Sequence, residues 1–238
     1  MPKYTDQAIV LKRIPYSETS LILDLYTASF GRKSFLFQGG KKKKGNMLQP
    51  FTPIGLEAYS RSDSALDKIT AIEWLGNGPH LYGNPIKSSI LFFVNDIVAA
   101  SLKEESSDDK MFPFLLTVHH QLATAKKLTN FPIWFLQAYV EQLGIHPNLI
   151  SIDADVLDLQ EGELLSTVPL GHQYIKHNAI KTICRWAELP PETILQDHLT
   201  KQERKIIMDV WLQYMAHHIN GFSKPKSLSV LQTVLSEG

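Results

Sequence analysis

The first third of the chain alternates. In "SLILDLYT", Leu21, Leu23 and Leu25 fall on one face at a period of two, and Phe35 and Phe37 do the same in "KSFLFQG". "AIVLKRI", "IGLEAYS" and "KITAIEWL" are also short and rich in β-branched and aromatic residues, so five strands are expected between Thr5 and about Leu75. Turn residues separate them: Pro15 with Ser17, Gly31, the Gly39–Gly40 pair, Pro50 with Pro53, and "SRSDS". Five short strands in so little chain suit a small closed barrel, where closure protects the edges. An OB-fold has five strands, and an SH3-like barrel is its nearest competitor.

After "GNGPHLYGNP" the period changes. Asn84 before Pro85 is a helix start, and Ile86, Ile90, Phe93, Ile97 and Val98 recur at three and four residues. A second helix follows "KEESSDDK", with Phe114, Leu115, Val118 and Leu122 on its apolar side. A third is expected from about Pro132 to Leu143, stopped by Gly144. Residues 145–170 lose the periodicity and read as an irregular or two-stranded insert; helical spacing returns in "HNAIKTICRWAEL". Thr200 and Glu203 form a capping box opening a long helix that Gly221 closes, and a last short helix follows Pro225. The fold class is therefore α+β with two domains: an N-terminal OB-fold β-barrel over 1–80 and a C-terminal α-helical domain over 81–238. The second carries the insert, expected to be metal-free.

Composition narrows this little. The 238 residues, 44% hydrophobic and 20% charged, describe an ordinary globular chain. No run is long enough to span a membrane, and the N-terminus has no signal-like basic start before an apolar core, so a cytoplasmic protein is expected. The single cysteine, Cys184, excludes an intrachain disulfide and a cysteine zinc knuckle. Charge is more informative. Residues 1–60 hold nine Lys/Arg against four Asp/Glu, whereas the rest is mildly acidic, which points to a polyanion at the N-terminal end.

"FQGGKKKKGNMLQPF" is the most unusual stretch. Gly40 and Gly45 have the spacing of a phosphate-binding P-loop, but Asn46 and Met47 replace its Lys and Ser/Thr, and "MLQPFTP" cannot open a helix. The P-loop is excluded. Adjacent histidines, His119–His120 and His217–His218, point about 100° apart on a helix and do not make an i, i+4 chelate. No carboxylate pair, nucleophile elbow or Cys/His dyad stands out, so neither an enzyme nor a cofactor is expected. Cys184, Trp134, Tyr139, Trp186 and Trp211 lie in helical stretches and read as core. The lysines instead join other cations of the barrel domain. Lys12, Arg13, Arg32, Lys33 and Lys41, Lys42, Lys43 and Lys44 are the candidate nucleic-acid contacts, with the glycines allowing the loop to follow a phosphate backbone. Tyr16, Tyr26 and Phe51 lie nearer loops and are candidates to stack on bases. An OB-fold RNA-binding or translation-associated module is the alternative. A histidine-based hydrolase or nuclease is a more distant one.

These landmarks resemble a family. "AIVLKRIPYSETSLILDLYTASFGRKSFLFQGGKKKKGNMLQPFTPIGLEAY", with the later "FLQAYVEQLGIHPNL" and "KPKSLSVL", is similar to RecO, the bacterial recombination mediator, over nearly the whole chain. The resemblance implies an OB-fold followed by a helical domain, binding to single- and double-stranded DNA, and strand annealing. It also implies partnership with RecR and with the tail of single-stranded DNA-binding protein (SSB), assistance to RecA, and a nucleoid-associated bacterial setting. The family's basic DNA-contacting region falls on Arg32 and Lys33, and on Lys41–Lys44. An SSB-tail contact would need an exposed apolar groove with a cation, for which Lys224 and Lys226 are candidates. Many members carry a four-cysteine zinc module where this chain reads "ISIDADVLDLQEGELLSTVPL", so zinc is expected to be absent.

Overall fold

Alternation becomes a barrel in the computed structural model, which describes residues 3–40, 48–60, 66–76, 78–103, 108–149 and 154–237. Its strands are β1 (Lys3–Pro15), β2 (Leu21–Thr27), β3 (Gly31–Phe37), β4 (Pro53–Tyr59) and β5 (Asp67–Trp74). They close in the order β1-β2-β3-β5-β4, with β3 and β5 parallel and the other pairs antiparallel. This is the five-stranded Greek-key arrangement of an OB-fold. The alternating leucines Leu21, Leu23 and Leu25 meet Phe35 and Phe37 inside, with Ala8, Val10, Ile54, Leu56 and Ile69.

One long strand serves two neighbours. The first half of β1 pairs with β4, from Lys3 opposite Tyr59 to Ile9 opposite Pro53, and the second half pairs with β2. A bulge between Val10 and Lys12 bends it at the changeover. Asn95 Nδ2 donates to the Leu11 carbonyl within this bulge at 3.1 Å, which satisfies a buried acceptor where the ladder is broken.

Asn95 belongs to α1 (Pro85–Ser101), which follows a 3-10 turn over Gly78–Gly83. Asn84 caps α1, its side chain accepting from the Ile86 and Lys87 amides at 3.0 and 3.1 Å, with Pro85 first in the helix. The next helix is α2 (Met111–Thr124). The chain divides into two compact units, one of Met1–Thr124 with Ser229–Leu231 and one of Ala125–Leu228 with Gln232–Gly238. The change of texture near residue 80 therefore falls inside the first unit, where α1 and α2 pack on β1.

The second unit is built on α3 (Phe131–Gln142), α4 (Ala179–Ala187), α5 (Pro191–Gln196) and α6 (Lys201–His218); the chain's last helix is α7 (Leu228–Glu237). The Thr200–Glu203 capping box opens α6, and α6 packs against α3. Trp134, Tyr139, Trp186 and Trp211 are buried, as is Cys184. Between α3 and α4 lies a three-stranded sheet in the order β7-β6-β8, formed by β6 (Val156–Asp158), β7 (Leu164–Leu165) and β8 (Tyr174–Lys176). β6 and β7 fall within the stretch read as irregular or two-stranded over 145–170, and β8 follows it, too short at three residues to carry a measurable period. Gly162, at φ 68°, turns so closely over α6 that a Cβ there would stand 2.7 Å from the Tyr214 hydroxyl.

Candidate nucleic-acid interface

The β1–β2 connection sits at one end of the barrel and is locked by its own hydrogen bonds. The Tyr16 and Ser17 amides donate to the Ser20 carbonyl at 3.1 and 3.4 Å, and the Ser20 amide donates to Ser17 Oγ at 3.1 Å. The loop closes on its serines and leaves Tyr16 65% exposed. Lys12 and Arg13, also exposed, lie on the last part of β1 leading into it.

The strand that precedes the lysine run in sequence, β3, ends at the same end of the barrel. Phe37, the last residue of β3, stands directly opposite Leu21, the first of β2. Gly39 then takes a left-handed φ of 70°, and Gly40 lies so close to the Phe37 ring that a Cβ would meet it at 2.5 Å. The glycine pair thus makes a fixed turn against a core aromatic, where the sequence reading had taken it for slack. Lys41–Lys44 lie outside the described residues.

Two other cations assigned to phosphate, Arg32 and Lys33, have partners within the fold. Arg32 holds Asp24 through Nε (3.1 Å) and Nη2 (2.8 Å), while its Nη1 donates to the Ala99 and Leu102 carbonyls, each at 2.8 Å. Its guanidinium joins the outer face of β2–β3 to the C-terminal end of α1, where a cation also suits the helix dipole. Lys33 Nζ pairs with Asp67 at 2.6 Å and lies over the Phe30 and Phe35 rings, 5.0 and 5.6 Å from their centroids. Tyr4 also donates to Asp67. Burial alone would push the Asp67 carboxyl up; the hydrogen bonds from Lys33 and Tyr4, with the lysine charge, outweigh it and hold the group below its ordinary range.

The aromatics divide as well. Tyr26 is 1% exposed and Phe51 is fully buried, its backbone at φ 64° with its amide donating to the Val10 carbonyl. Both are packing residues, and their assignment to base stacking is corrected. Tyr16 alone of the three offers a free ring. Lys224 and Lys226 are exposed on either side of buried Pro225, ahead of α7. His119 is buried in α2, and burial with neighbouring His120 lowers its pKa to about 4, so it is neutral. Among the described residues no three His, Cys, Asp or Glu side chains gather as metal ligands, and no helix is long and apolar enough to cross a membrane.

A row of side chains absent from the sequence reading completes the surface. Ile14 stands opposite Ile22, and Ile22 opposite Leu36, with Leu36 beside Lys68 on β5. The alternation in "LILDLYT" marks Ile22 as outward-facing, but only the strand register reveals its neighbours. The other side of the barrel has the opposite character. There a groove of about 770 Å³ is lined by Thr5, Asp6, Gln7, Gly55, Glu57 and Glu73, and its three carboxylates disfavour a phosphate backbone.

A closed OB barrel followed by helices, cationic at one loop end and acidic on another face, defines a two-domain α+β protein of the OB-fold class. Residues 1–77 match the family described as Recombination protein O N terminal. A DNA repair protein RecO of Flavobacterium psychrophilum is 29% identical, covering 97% of this chain and 98% of its own. Those of Christiangramia forsetii and Bacteroides fragilis strain YCH46 are 25% and 28% identical, covering 96% and 94% of this chain and 97% and 96% of theirs. Nearly the whole chain is thus similar to DNA repair proteins RecO, and its first 77 residues match that family's N-terminal model.

Proposed function

We propose that this chain is a non-enzymatic DNA-binding recombination mediator. Its barrel grips single- and double-stranded DNA by phosphate contacts without reading sequence, anneals complementary strands, and assists RecA loading on SSB-coated DNA together with RecR. Lys41–Lys44, Lys12 and Arg13 supply the charge, and Tyr16 supplies a stacking ring. The second unit stabilises the chain and docks protein partners, with Lys224 and Lys226 as cations for an acidic SSB tail. The protein acts in the bacterial cytoplasm at the nucleoid.

The observation that carries this reading is the shared barrel end. The β1–β2 loop holds Tyr16 outward, exposed Lys12 and Arg13 lie on the strand leading into it, and β3, which precedes the tetralysine segment in sequence, ends at the same rim. Cations near an exposed ring serve both phosphate and base, the two parts of a strand that annealing must hold. Annealing of complementary strands coated with the cognate SSB, with and without this protein, tests the proposal. Acceleration is expected; an unchanged rate sinks the mediator role.

A further inference from the structure

The small sheet of the second unit ends in an open edge. It is ordered β7-β6-β8, so β8 pairs with β6 on one side alone. The Leu159 amide donates to the Gln173 carbonyl and the His177 amide to the Asp155 carbonyl, each at 2.9 Å. These bonds fix the phase of the antiparallel ladder: Ile175, opposite Leu157, turns its N–H and C=O toward β6. Tyr174 and Lys176, to either side of it, turn theirs away, and among the described residues no backbone group bonds them there. Both side chains are exposed, and the Lys176 ammonium comes only within 4.0 Å of Asp155. The connection into β8 adds apolar surface, with Val168 exposed and Leu170 97% exposed. It is held in place, Gly171 turning at φ 81° and His172 Nδ1 lying 2.7 Å from the buried Asp158 carboxylate. A fixed apolar turn leading into an unpaired strand is surface arranged for association.

We infer that β8 pairs with β8 of a second copy of this chain, antiparallel and centred on Ile175, joining the two small sheets into one. The strand is self-complementary in that register. Each Tyr174 stands opposite the partner's Lys176 and exchanges both backbone hydrogen bonds with it, which uses every outward N–H and C=O of β8 on both chains. Centring on Tyr174 or on Lys176 would leave half of those groups unpaired, and the second choice would set two lysines face to face. Directly opposite residues share a face, so each ammonium lies against an aromatic ring instead. A second copy therefore meets this edge without the acidic residues that its cation would demand of an unrelated peptide. The contact is small, so the association is weak and reversible. Under the DNA-binding reading above, such a pair carries two barrels in one particle, which suits the joining of two strands; the pairing itself is measured without DNA.

Sedimentation equilibrium of the full chain over a concentration series reads the association, and engineered cysteines read its register. The weight-average mass is expected to rise with concentration toward that of two chains. Lys176→Pro removes an N–H that points away from β6, a change an edge strand tolerates, and is expected to weaken the association at least about 10-fold. In the inferred register the Cα atoms of the two residues 175 are about 4.5 Å apart, within disulfide reach. Those of the two residues 174 are about 8 Å apart and beyond it. Ile175→Cys is therefore expected to give a disulfide-linked dimer with oxidised glutathione, and Tyr174→Cys is not. Buried Cys184 is common to both variants and sets their shared background. This cysteine comparison decides the matter if the proline variant melts early. A mass that stays monomeric at every concentration overturns the pairing. A dimer that Ile175→Cys does not link, or that Tyr174→Cys links as readily, places the contact elsewhere and overturns it too. None of these outcomes touches the DNA-binding reading, which the annealing measurement decides separately.

Discussion

Arg32 and Asp24 form a two-bond fork, Nε to Oδ1 at 3.1 Å and Nη2 to Oδ2 at 2.8 Å, on the outer face of β2–β3. The third nitrogen, Nη1, is spent on two carbonyls at the end of α1. Replacing Arg32 by alanine strands a carboxylate that is only 9% exposed and leaves two helix-end carbonyls without this donor. The expected loss is about 2–4 kcal/mol of folding stability. Chemical denaturation measures it. The salt slope of DNA binding should not move, and a flattened slope with intact stability would return Arg32 to the phosphate contacts.

Lys41–Lys44 should behave in the opposite way. If about five cations meet single-stranded phosphates, log K falls with log salt at a slope of about −3.5. Changing all four lysines to serine should flatten that slope by up to about 3. Any one of them changed alone should move it by less than about 1. Denaturation midpoints should match the wild type. An unchanged slope in the fourfold variant removes the segment from the interface.

The contrast between these two sets of cations shows how far a sequence can be read. Strand positions were legible because Leu21, Leu23 and Leu25 repeat at the sheet's own period, and helix starts because Asn84–Pro85 and Thr200–Glu203 are local chemistry. Charge roles were not legible in the same way. Arg32 meets Asp24 across a strand pair, and Lys33 meets Asp67 across the parallel β3–β5 contact, so each partner is fixed by topology. Tyr26 and Phe51 misled for a related reason. Proximity to a loop in sequence says nothing of what packs over a ring, and both rings are buried. The outer aliphatic row needed three strands in register before it existed at all.

His119 gives the first unit an acid limit. Burial, with His120 beside it, lowers its pKa to about 4 from 6.5, so the folded protein holds it neutral while the unfolded chain protonates it. A depressed histidine pKa means stability is full above about pH 6.5 and is lost as pH falls toward 4, by about 3 kcal/mol in all. Urea denaturation at pH 7, 6, 5 and 4 reads this directly. His119→Leu should remove most of the dependence, and a variant whose stability falls as steeply as the wild type's would place the acid limit elsewhere.

Asp158 sets a second pH window in the small sheet between α3 and α4. Its carboxylate, 3% exposed, accepts from the Gln160 and Glu161 amides at 2.8 and 3.2 Å and meets His172 Nδ1 at 2.7 Å. Burial would raise Asp158, but the His172 hydrogen bond and the two amides prevail and hold it below 3.8. The same hydrogen bond, the largest influence on His172, raises it above 6.5. The signs are opposite and define a plateau. The aspartate's contribution is present above about pH 4 and lost as pH falls through its lowered pKa; the histidine's is present below about pH 6.5 and lost as pH rises through its raised one. Local protection of the sheet, read by amide hydrogen exchange at Leu157 and Ile175, should therefore be greatest between these limits. His172→Gln should abolish the alkaline loss and leave the acid one. Asp158→Asn should lower protection across the whole range, because an amide cannot anchor the two backbone N–H groups and the imidazolium together. If His172→Gln leaves the alkaline loss in place, the ion pair is not what closes this sheet.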